Sequence, residues 1–264
     1  MTNITDGEIV SILPFPSPNP YINLSTVTYL SGGLKVKGLL AEPVRNDIKD
    51  GFLYLRGGIK GVGQVRPGRI VQFASQGFIV FAPYYRGNMG GEGREDFAGE
   101  DRADAIAAAR VLKNLKQVEQ LHVFGFSRGG VMALWTAIHE PYVSSLVTWG
   151  GVSDMALTYE ERVDLRRMMK RVIGGSPYKY PEKYDERTPL HRLKDIKCPV
   201  LIIHGSQDHN VSLRHSLLLE EGLKKQGQKV ESWYFNEYTH YFPPCVNRQT
   251  VEKLSLWMKE QRDR

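Results

Sequence analysis

The chain has 264 residues, of which 41% are hydrophobic, 24% charged and 10% aromatic. A chain of this length and composition can bury one large core, which argues against a disordered protein. The 35 Lys and Arg residues exceed the 29 Asp and Glu residues, so the formal net charge is +6. The basic residues are scattered among acidic ones and form no run or basic–aromatic alternation. We therefore expect a mildly basic surface and no nucleic-acid partner.

The first twenty residues carry four prolines between Leu13 and Tyr21, which favours an extended N-terminal arm over residues 1–20. They contain no basic segment followed by an apolar run, so they do not resemble a secretory signal. No stretch approaches the roughly 18 apolar residues of a membrane span. Two cysteines, Cys198 and Cys245, are too few for a disulfide framework and lack metal-ligand spacing. We expect a cytoplasmic protein with no membrane partner and no metal.

Two alternating segments, NLSTVTYL and LKVKGLLAEP, flank Ser31-Gly32-Gly33 and predict a β-hairpin. From about residue 51, dense apolar runs alternate with segments of helical spacing. The runs predict strands buried on both faces, as in a parallel sheet. They are GFLYLR, FIVFAPYY, QLHVFGFS, SSLVTWGG, PVLIIHG and VESWYFNEY, and the predicted helices cover 67–76, 99–115, 129–139, 213–226 and 248–259. The fold class is therefore α/β, with a mostly parallel central sheet, helices on both faces and one domain over 1–264.

The chemistry is indicated by LHVFGFSRGGVMALW, in which Gly125-Phe126-Ser127-Arg128-Gly129 matches the motif G-x-S-x-G. An apolar strand ends at Gly125 and an apolar helix begins near Arg128, which places Ser127 on a tight strand-to-helix turn. Glycines two positions before and after Ser127 permit the close backbone approach that this turn needs. The helix N-terminus then directs N–H groups toward a developing oxyanion, and the N–H of Arg128 is the expected first donor.

A serine nucleophile needs a base and a carboxylate that orients the base, and in this arrangement the order is Ser, Asp or Glu, then His. Asp208 lies in the loop after PVLIIHG, and His240 follows the next strand. Both loops lie at the carboxyl edge of a parallel sheet, as Ser127 does. Asp154, after SSLVTWGG, is the alternative acid. The remaining histidines fall within strands or helices or adjoin Asp208, so we interpret them as structural: His122, His139, His191, His204, His209 and His215.

The second oxyanion donor is expected from the loop after GFLYLR, where Gly57, Gly58 and Ile59 all remain candidates. Arg56 and Arg128 are candidates for recognising an acidic group of the substrate, with ion-paired or solvated arginine as the alternative. Residues 153–190 interrupt the strand–helix alternation with about 38 mostly polar residues. They predict a small helical cap over the site, with a charged helix around 159–173, or else a surface excursion without function.

Several segments together resemble the catalytic domain of the prolyl oligopeptidase family, within the α/β-hydrolase superfamily. The likeness covers roughly residues 50–260 and includes YYRGNMGGEGREDFAGEDRAD, GFSRGGVMAL, HGSQDHNV and EYTH. It implies the same triad of Ser127, Asp208 and His240, and it suggests that Arg86 pairs with Asp101 or Asp104 beneath the site. The sequence departs from that family at Arg56, where Tyr or His is usual, and at Arg128, where Tyr or Asn is frequent. No β-propeller precedes the catalytic region in this chain, so we expect a stand-alone relative.

These observations predict a serine hydrolase that forms an acyl-enzyme and needs no cofactor. The expected substrate is a small-molecule ester or a short peptide or amide, with a carboxylesterase favoured over a prolyl-oligopeptidase-like peptidase. An acyltransferase with the same triad is a further alternative, followed by a non-catalytic binding protein on a hydrolase fold. The acyl group, the leaving group and the oligomeric state are left open.

Overall fold

The computed structural model of the protein describes residues 5–45 and 47–261. Within these ranges nine strands form one sheet: β1 (Ile9–Phe15), β2 (Ile22–Ser31), β3 (Leu34–Pro43), β4 (Lys49–Leu55), β5 (Ile79–Pro83), β6 (Val118–Phe126), β7 (Val143–Trp149), β8 (Val200–Gly205) and β9 (Val230–Phe235). Their spatial order is β1-β2-β3-β5-β4-β6-β7-β8-β9. The strands from β5 to the β9 edge pair in parallel, and β1, β2 and β3 are antiparallel. This confirms the predicted, mostly parallel α/β sheet.

Helices cover both faces of the sheet. The α-helices are α1 (Pro67–Ala74), α2 (Arg102–Lys113), α3 (Gly129–His139), α4 (Met155–Glu161), α5 (Arg166–Ile173), α6 (Pro181–Asp185), α7 (Leu213–Lys225) and α8 (Pro244–Lys259). Strand β4 shows how the faces divide, because successive strand side chains point to opposite sides. Leu53 and Leu55 join the cluster that contains α2, α3 and α7, whereas Phe52 and Tyr54 join the cluster that contains α1 and α8.

The N-terminal segment differs in part from its prediction. The hairpin is confirmed, since Ser31 pairs with Leu34 across Gly32 and Gly33, whose φ angles of 55° and 78° suit a two-residue type I′ turn. The predicted arm is extended, but its residues Ile9–Phe15 pair with β2 instead of remaining unpacked. An edge strand tolerates Pro14, because a residue at the edge need not donate to a second neighbour. The part of the arm over residues 1–4 lies outside the described residues.

Residues 153–190 form several short elements, and the single helix predicted around 159–173 is wrong. Helices α4 and α5 are separated by a 3₁₀ turn at Val163–Leu165. The backbone leaves the helical region at Arg162, whose side chain binds Asp164 and the carbonyl of Asn210. Met169 and Ile173 anchor α5 in the core. No helix in the described part of the chain combines the length and the apolar character that crossing a membrane requires.

Candidate active site

The turn after β6 holds Ser127 in a conformation that few non-glycine residues adopt. Its φ angle is 56°, in the left-handed region. Holding a non-glycine residue in this conformation costs about 1–3 kcal/mol of conformational free energy. Neighbouring backbone fixes it: the Ser127 N–H donates to the Trp149 carbonyl at 3.1 Å, and the Ser127 carbonyl accepts from Gly130 and Val152. A Cβ at Gly125 would lie 2.2 Å from the carbonyl oxygen of Gly129, so the turn closes only with glycine there. The sequence reading of this turn as tight and strained is thus confirmed.

Asp208 and His240 meet at the same edge of the sheet. The Oδ2 atom of Asp208 lies 2.6 Å from Nδ1 of His240, and both side chains are buried. The other oxygen, Oδ1, accepts from the backbone N–H groups of Asn210 and Val211 at 2.8 and 2.9 Å. Burial alone would raise the pKa of Asp208, but the hydrogen bonds from His204 and His240 hold that pKa well below its ordinary value. The carboxylate therefore stays ionised and can orient the imidazole.

Asp154, the alternative acid, has a different role. Its carboxylate caps α4 by accepting from the Leu157 N–H at 2.9 Å. Three other histidines bind neighbours away from this pair: His122 binds Ser145, His139 the Trp135 carbonyl, and His215 Ser153. His204 binds Ser216 and the Val211 carbonyl, and its Nε2 also lies 3.4 Å from Oδ2 of Asp208. Among the two candidate acids, Asp208 is the one that contacts His240.

His215 gives a testable pH dependence of stability. It is buried, and burial followed by the nearby His204 lowers its pKa to about 3. The negative charge of Asp208 raises the pKa of His215 but is outweighed by burial. Oε2 of Glu161 lies 3.8 Å from Nε2 of His215. Because the unfolded chain binds a proton at His215 near pH 6.5 and the folded chain does not, stability is lost as pH falls. We expect about 2 to 3 kcal/mol of this loss between roughly pH 6.5 and pH 4.5.

Urea denaturation of the wild type and of His215→Asn at these two pH values checks the effect. Asn retains an oxygen that can accept the Ser153 N–H, yet it does not titrate in this range. The stability of the variant should therefore depend less on pH than that of the wild type. Equal pH dependence in the two proteins would assign the acid sensitivity to other groups.

Ser127 and His240 both line a cavity of about 640 Å³ at the carboxyl edge of the sheet. The three candidate residues for the second oxyanion donor, Gly57, Gly58 and Ile59, line the same cavity, as does Arg128. From residues 153–190, the wall includes Thr158, Arg162, Leu165 and Met168. The segment predicted as a cap thus borders the space in front of Ser127.

The loop after β4 approaches Ser127 closely at Gly57. A Cβ at this position would lie 2.6 Å from Cβ and 3.1 Å from Oγ of Ser127. Gly57→Ala should therefore displace the serine, and a shift of about 1 Å costs roughly a hundredfold in rate. Gly61→Ala in the same loop is the matched control, because nothing lies within 4 Å of a Cβ there. Steady-state kcat/KM for an ester tests this, and equal rates for the two variants would contradict it.

Arg56 and Arg128, predicted as candidates for substrate recognition, belong to a buried ionic network. Each is 2% exposed. Both guanidinium groups bind Oε1 of Glu95, at 2.9 Å from Arg56 and 2.5 Å from Arg128. Arg128 also binds Asp101 at 2.9 Å. The ring of Tyr85 lies 4.9 Å from each guanidinium carbon. Although Arg128 borders the cavity, these contacts favour the ion-paired alternative.

Glu95 was not identified from the sequence, and it connects the loops around Ser127. Its Oε2 accepts from the backbone N–H of Lys60 at 2.6 Å and from Asn88 at 2.9 Å. Arg56 in turn donates to the carbonyl of Gly57 at 2.9 Å. An available signal was the pair of arginines next to predicted site loops, because buried arginines require a carboxylate. The network therefore ties the loop of residues 57–60 to the residue that follows Ser127.

Arg86 binds Asp104 through Nε and Nη2, at 2.9 to 3.1 Å, and its N–H donates to the same carboxylate. Of the two partners that the family resemblance suggested, Asp104 is therefore the one observed. Asp101 pairs with Arg128 instead.

Comparison with known proteins gives the chain a family. Residues 64–263 match the model of the prolyl oligopeptidase family. The chain is 61% identical over 257 residues to the uncharacterized peptidase YtmA of Bacillus subtilis (strain 168), which covers 96% of this chain and 100% of that protein. It is 25% identical to the uncharacterized peptidase YuxL of the same organism, over 61% of this chain and 25% of YuxL.

Solved structures share the fold. A puromycin-hydrolyzing peptidase of Mycobacterium tuberculosis superposes with a TM-score of 0.80 at 22% identity, over 93% of this chain and 40% of that chain. Acetyl xylan esterase 1 of Thermoanaerobacterium sp. JW/SL YS485 superposes with a TM-score of 0.76 at 15% identity, over 98% of this chain and 89% of that chain. The chain belongs to the prolyl oligopeptidase family and is a serine hydrolase of the α/β-hydrolase fold.

Proposed function

We propose that Ser127, His240 and Asp208 form a catalytic triad that cleaves esters or short peptides through an acyl-enzyme. The observation that carries this proposal is the 2.6 Å contact between Asp208 and His240, whose ring shares a cavity with Ser127. Because Nδ1 of His240 faces Asp208, Nε2 remains to receive the Ser127 proton. The strained turn at Ser127 supports the same role, since strain of this kind is common at nucleophiles.

The reaction then follows from the positions of these groups. The Ser127 oxygen attacks the substrate carbonyl carbon while His240 takes the hydroxyl proton, and the carbonyl electrons move onto oxygen. The backbone N–H of Arg128 and one from Gly57, Gly58 or Ile59 stabilise that oxyanion. Collapse expels the leaving group, which takes the proton from His240 and leaves an acyl-serine. Water, deprotonated by His240, attacks the acyl-serine, and the proton returns to Ser127 as the acid is released.

Carboxylic esters are the substrates we favour over peptides. The segment 153–190 forms part of the wall of a cavity of about 640 Å³, a volume that suits a small-molecule substrate. An alcohol or phenol is also a better leaving group than an amine. The peptidase alternative is supported by the family match and by the similarity to YtmA. A panel of 4-nitrophenyl esters against aminoacyl-4-nitroanilides decides between the two activities. Faster cleavage of the anilides would overturn the ester preference and leave the triad intact.

A fluorophosphonate probe tests the nucleophile itself. We expect covalent labelling of a single serine, located at Ser127 by mass spectrometry, and no labelling after heat denaturation. A folded protein in which Ser127 is not labelled would contradict the proposal and favour a non-catalytic binding protein. Adding a competing alcohol or amine during turnover and analysing the products distinguishes hydrolysis from acyl transfer.

A further inference from the structure

The wall of the cavity in front of Ser127 carries arginines and no carboxylate, within the part of the chain that the structure describes. The arginines are Arg66, Arg69, Arg128 and Arg162. Arg128 is neutralised by Glu95 and Asp101, and Arg162 binds Asp164 at 2.7 Å. Arg66 is exposed to solvent. Among these four arginines, Arg69 is the partly buried one that has no acidic partner in the described chain.

Arg69 is fixed by neutral groups. Its Nη1 donates to Oε1 of Gln72 at 2.8 Å and to Oδ1 of Asn247 at 2.7 Å. The guanidinium carbon lies 4.8 Å from the ring centroid of Phe73 and 5.6 Å from that of Trp149. No Asp or Glu among the described residues comes within 4 Å of it. Amide oxygens and aromatic faces hold a guanidinium in place but do not cancel its charge.

The surroundings of Arg69 connect it to the reacting groups. Trp149, on which the guanidinium stacks, accepts the backbone N–H of Ser127 through its carbonyl. Asn247, which binds Nη1, lies in α8 directly after the loop that carries His240. The protein hydrogen bonds of Arg69 in the described chain use Nη1 alone, so Nε and Nη2 remain for a ligand. These two donors form the fork that matches the two oxygens of a carboxylate.

We propose that Arg69 binds a carboxylate of the substrate and makes this enzyme selective for carboxylate-bearing esters or peptides. This inference rests on the proposed function, because it places the recognised group in the cavity of Ser127. A carboxylate at this point would meet a preoriented guanidinium in a wall that contains no competing acid. A cationic substrate would instead meet like charge and find no counter-ion, so free amines near the scissile bond are disfavoured.

Two series of substrates test whether Arg69 recognises a carboxylate on the acyl side or on the leaving-group side of the ester. In the first, the 4-nitrophenyl esters of hexanoate, adipate and 6-aminohexanoate place a neutral, anionic or cationic end on acyl chains of similar length. In the second, hexanoate esters of phenol and of 4-hydroxybenzoate place the carboxylate on the leaving group. The ratio of kcat/KM between wild type and Arg69→Met is compared within each series, which cancels the intrinsic reactivity of each ester.

Arg69→Met should lower kcat/KM for the carboxylate ester in at least one series by about 10- to 100-fold, the range expected for a lost charged hydrogen bond. The neutral esters should change by less than about threefold. Arg69→Lys should retain part of the selectivity, and Arg69→Glu should shift it toward the 6-aminohexanoate ester. Arg45→Met, an exposed arginine outside the cavity wall, is the control and should match the wild type.

Equal losses for anionic and neutral esters in Arg69→Met would overturn the inference and indicate a structural role for the side chain. Calorimetric binding of adipate and of 4-hydroxybenzoate to wild type and Arg69→Met keeps the test independent of turnover. Tighter binding of at least one of them to the wild type supports the inference even if no ester is cleaved. Absence of ester cleavage that depends on Ser127 would count against the proposed function alone.

Discussion

Ser127→Ala is expected to lower kcat/KM for the best ester substrate by at least about 10⁴-fold, because a methyl group supplies no nucleophile. His240→Ala should cause a loss of similar size, since we propose His240 as the base that takes the serine proton. The double variant should be no worse than either single variant, because the two side chains act in one step. Progress curves at several enzyme concentrations, together with active-site titration, measure these losses.

Matched controls exclude a general effect of mutation near the site. His209→Ala removes an exposed histidine next to Asp208, and Ser206→Ala removes a hydroxyl from the same loop. Neither residue lines the cavity, so both variants should keep activity within about threefold of the wild type. Losses that multiply in the Ser127→Ala and His240→Ala double variant would show that the two residues act independently, and the triad would be wrong.

Glu95→Gln is expected to destabilise the fold by about 3–5 kcal/mol, the range for removing one partner of a buried ion pair. Burial alone would raise the pKa of Glu95, but Arg128 and Arg56 lower it below its ordinary value, so the folded protein holds a carboxylate there. Replacing it by an amide leaves two buried guanidinium groups with Asp101 as their remaining acid. Urea denaturation measures the change, and Glu100→Gln, an exposed acid nearby, should alter stability by less than about 0.5 kcal/mol.

The activity of Glu95→Gln should also fall, because the loop that we propose as the source of the second oxyanion donor is held less firmly without the carboxylate. Glu95 accepts the Lys60 N–H, and it orients Arg56 against the Gly57 carbonyl. The double variant Arg56→Met, Glu95→Gln removes both charges, so it should be less destabilised than the sum of the single variants. A strictly additive result, or a loss below about 1 kcal/mol for Glu95→Gln, would contradict the coupling we infer.

The sequence by itself determined the α/β class and the sheet edge at which the candidate site lies. Dense apolar runs alternating with helical spacing require strands covered on both faces, and this pattern is local. The same is true of the hairpin at Gly32-Gly33 and of the turn at Ser127, where neighbouring glycines reveal the backbone conformation. Local patterns were less informative over residues 153–190. There the break between α4 and α5 coincides with a hydrogen bond from Arg162 to the carbonyl of Asn210, which lies 48 residues away in sequence.

Only the tertiary structure decided which charges meet. Arg86 could pair with either Asp101 or Asp104 by sequence, and the choice follows from how α2 packs against the sheet. Arg56 and Arg128 resembled substrate ligands until Glu95, distant in sequence from both, was found to bind them. Arg69 became a candidate for substrate binding only when the structure showed no acid around it among the described residues. Ion pairs of this kind depend on three-dimensional proximity, which no local pattern of residues encodes.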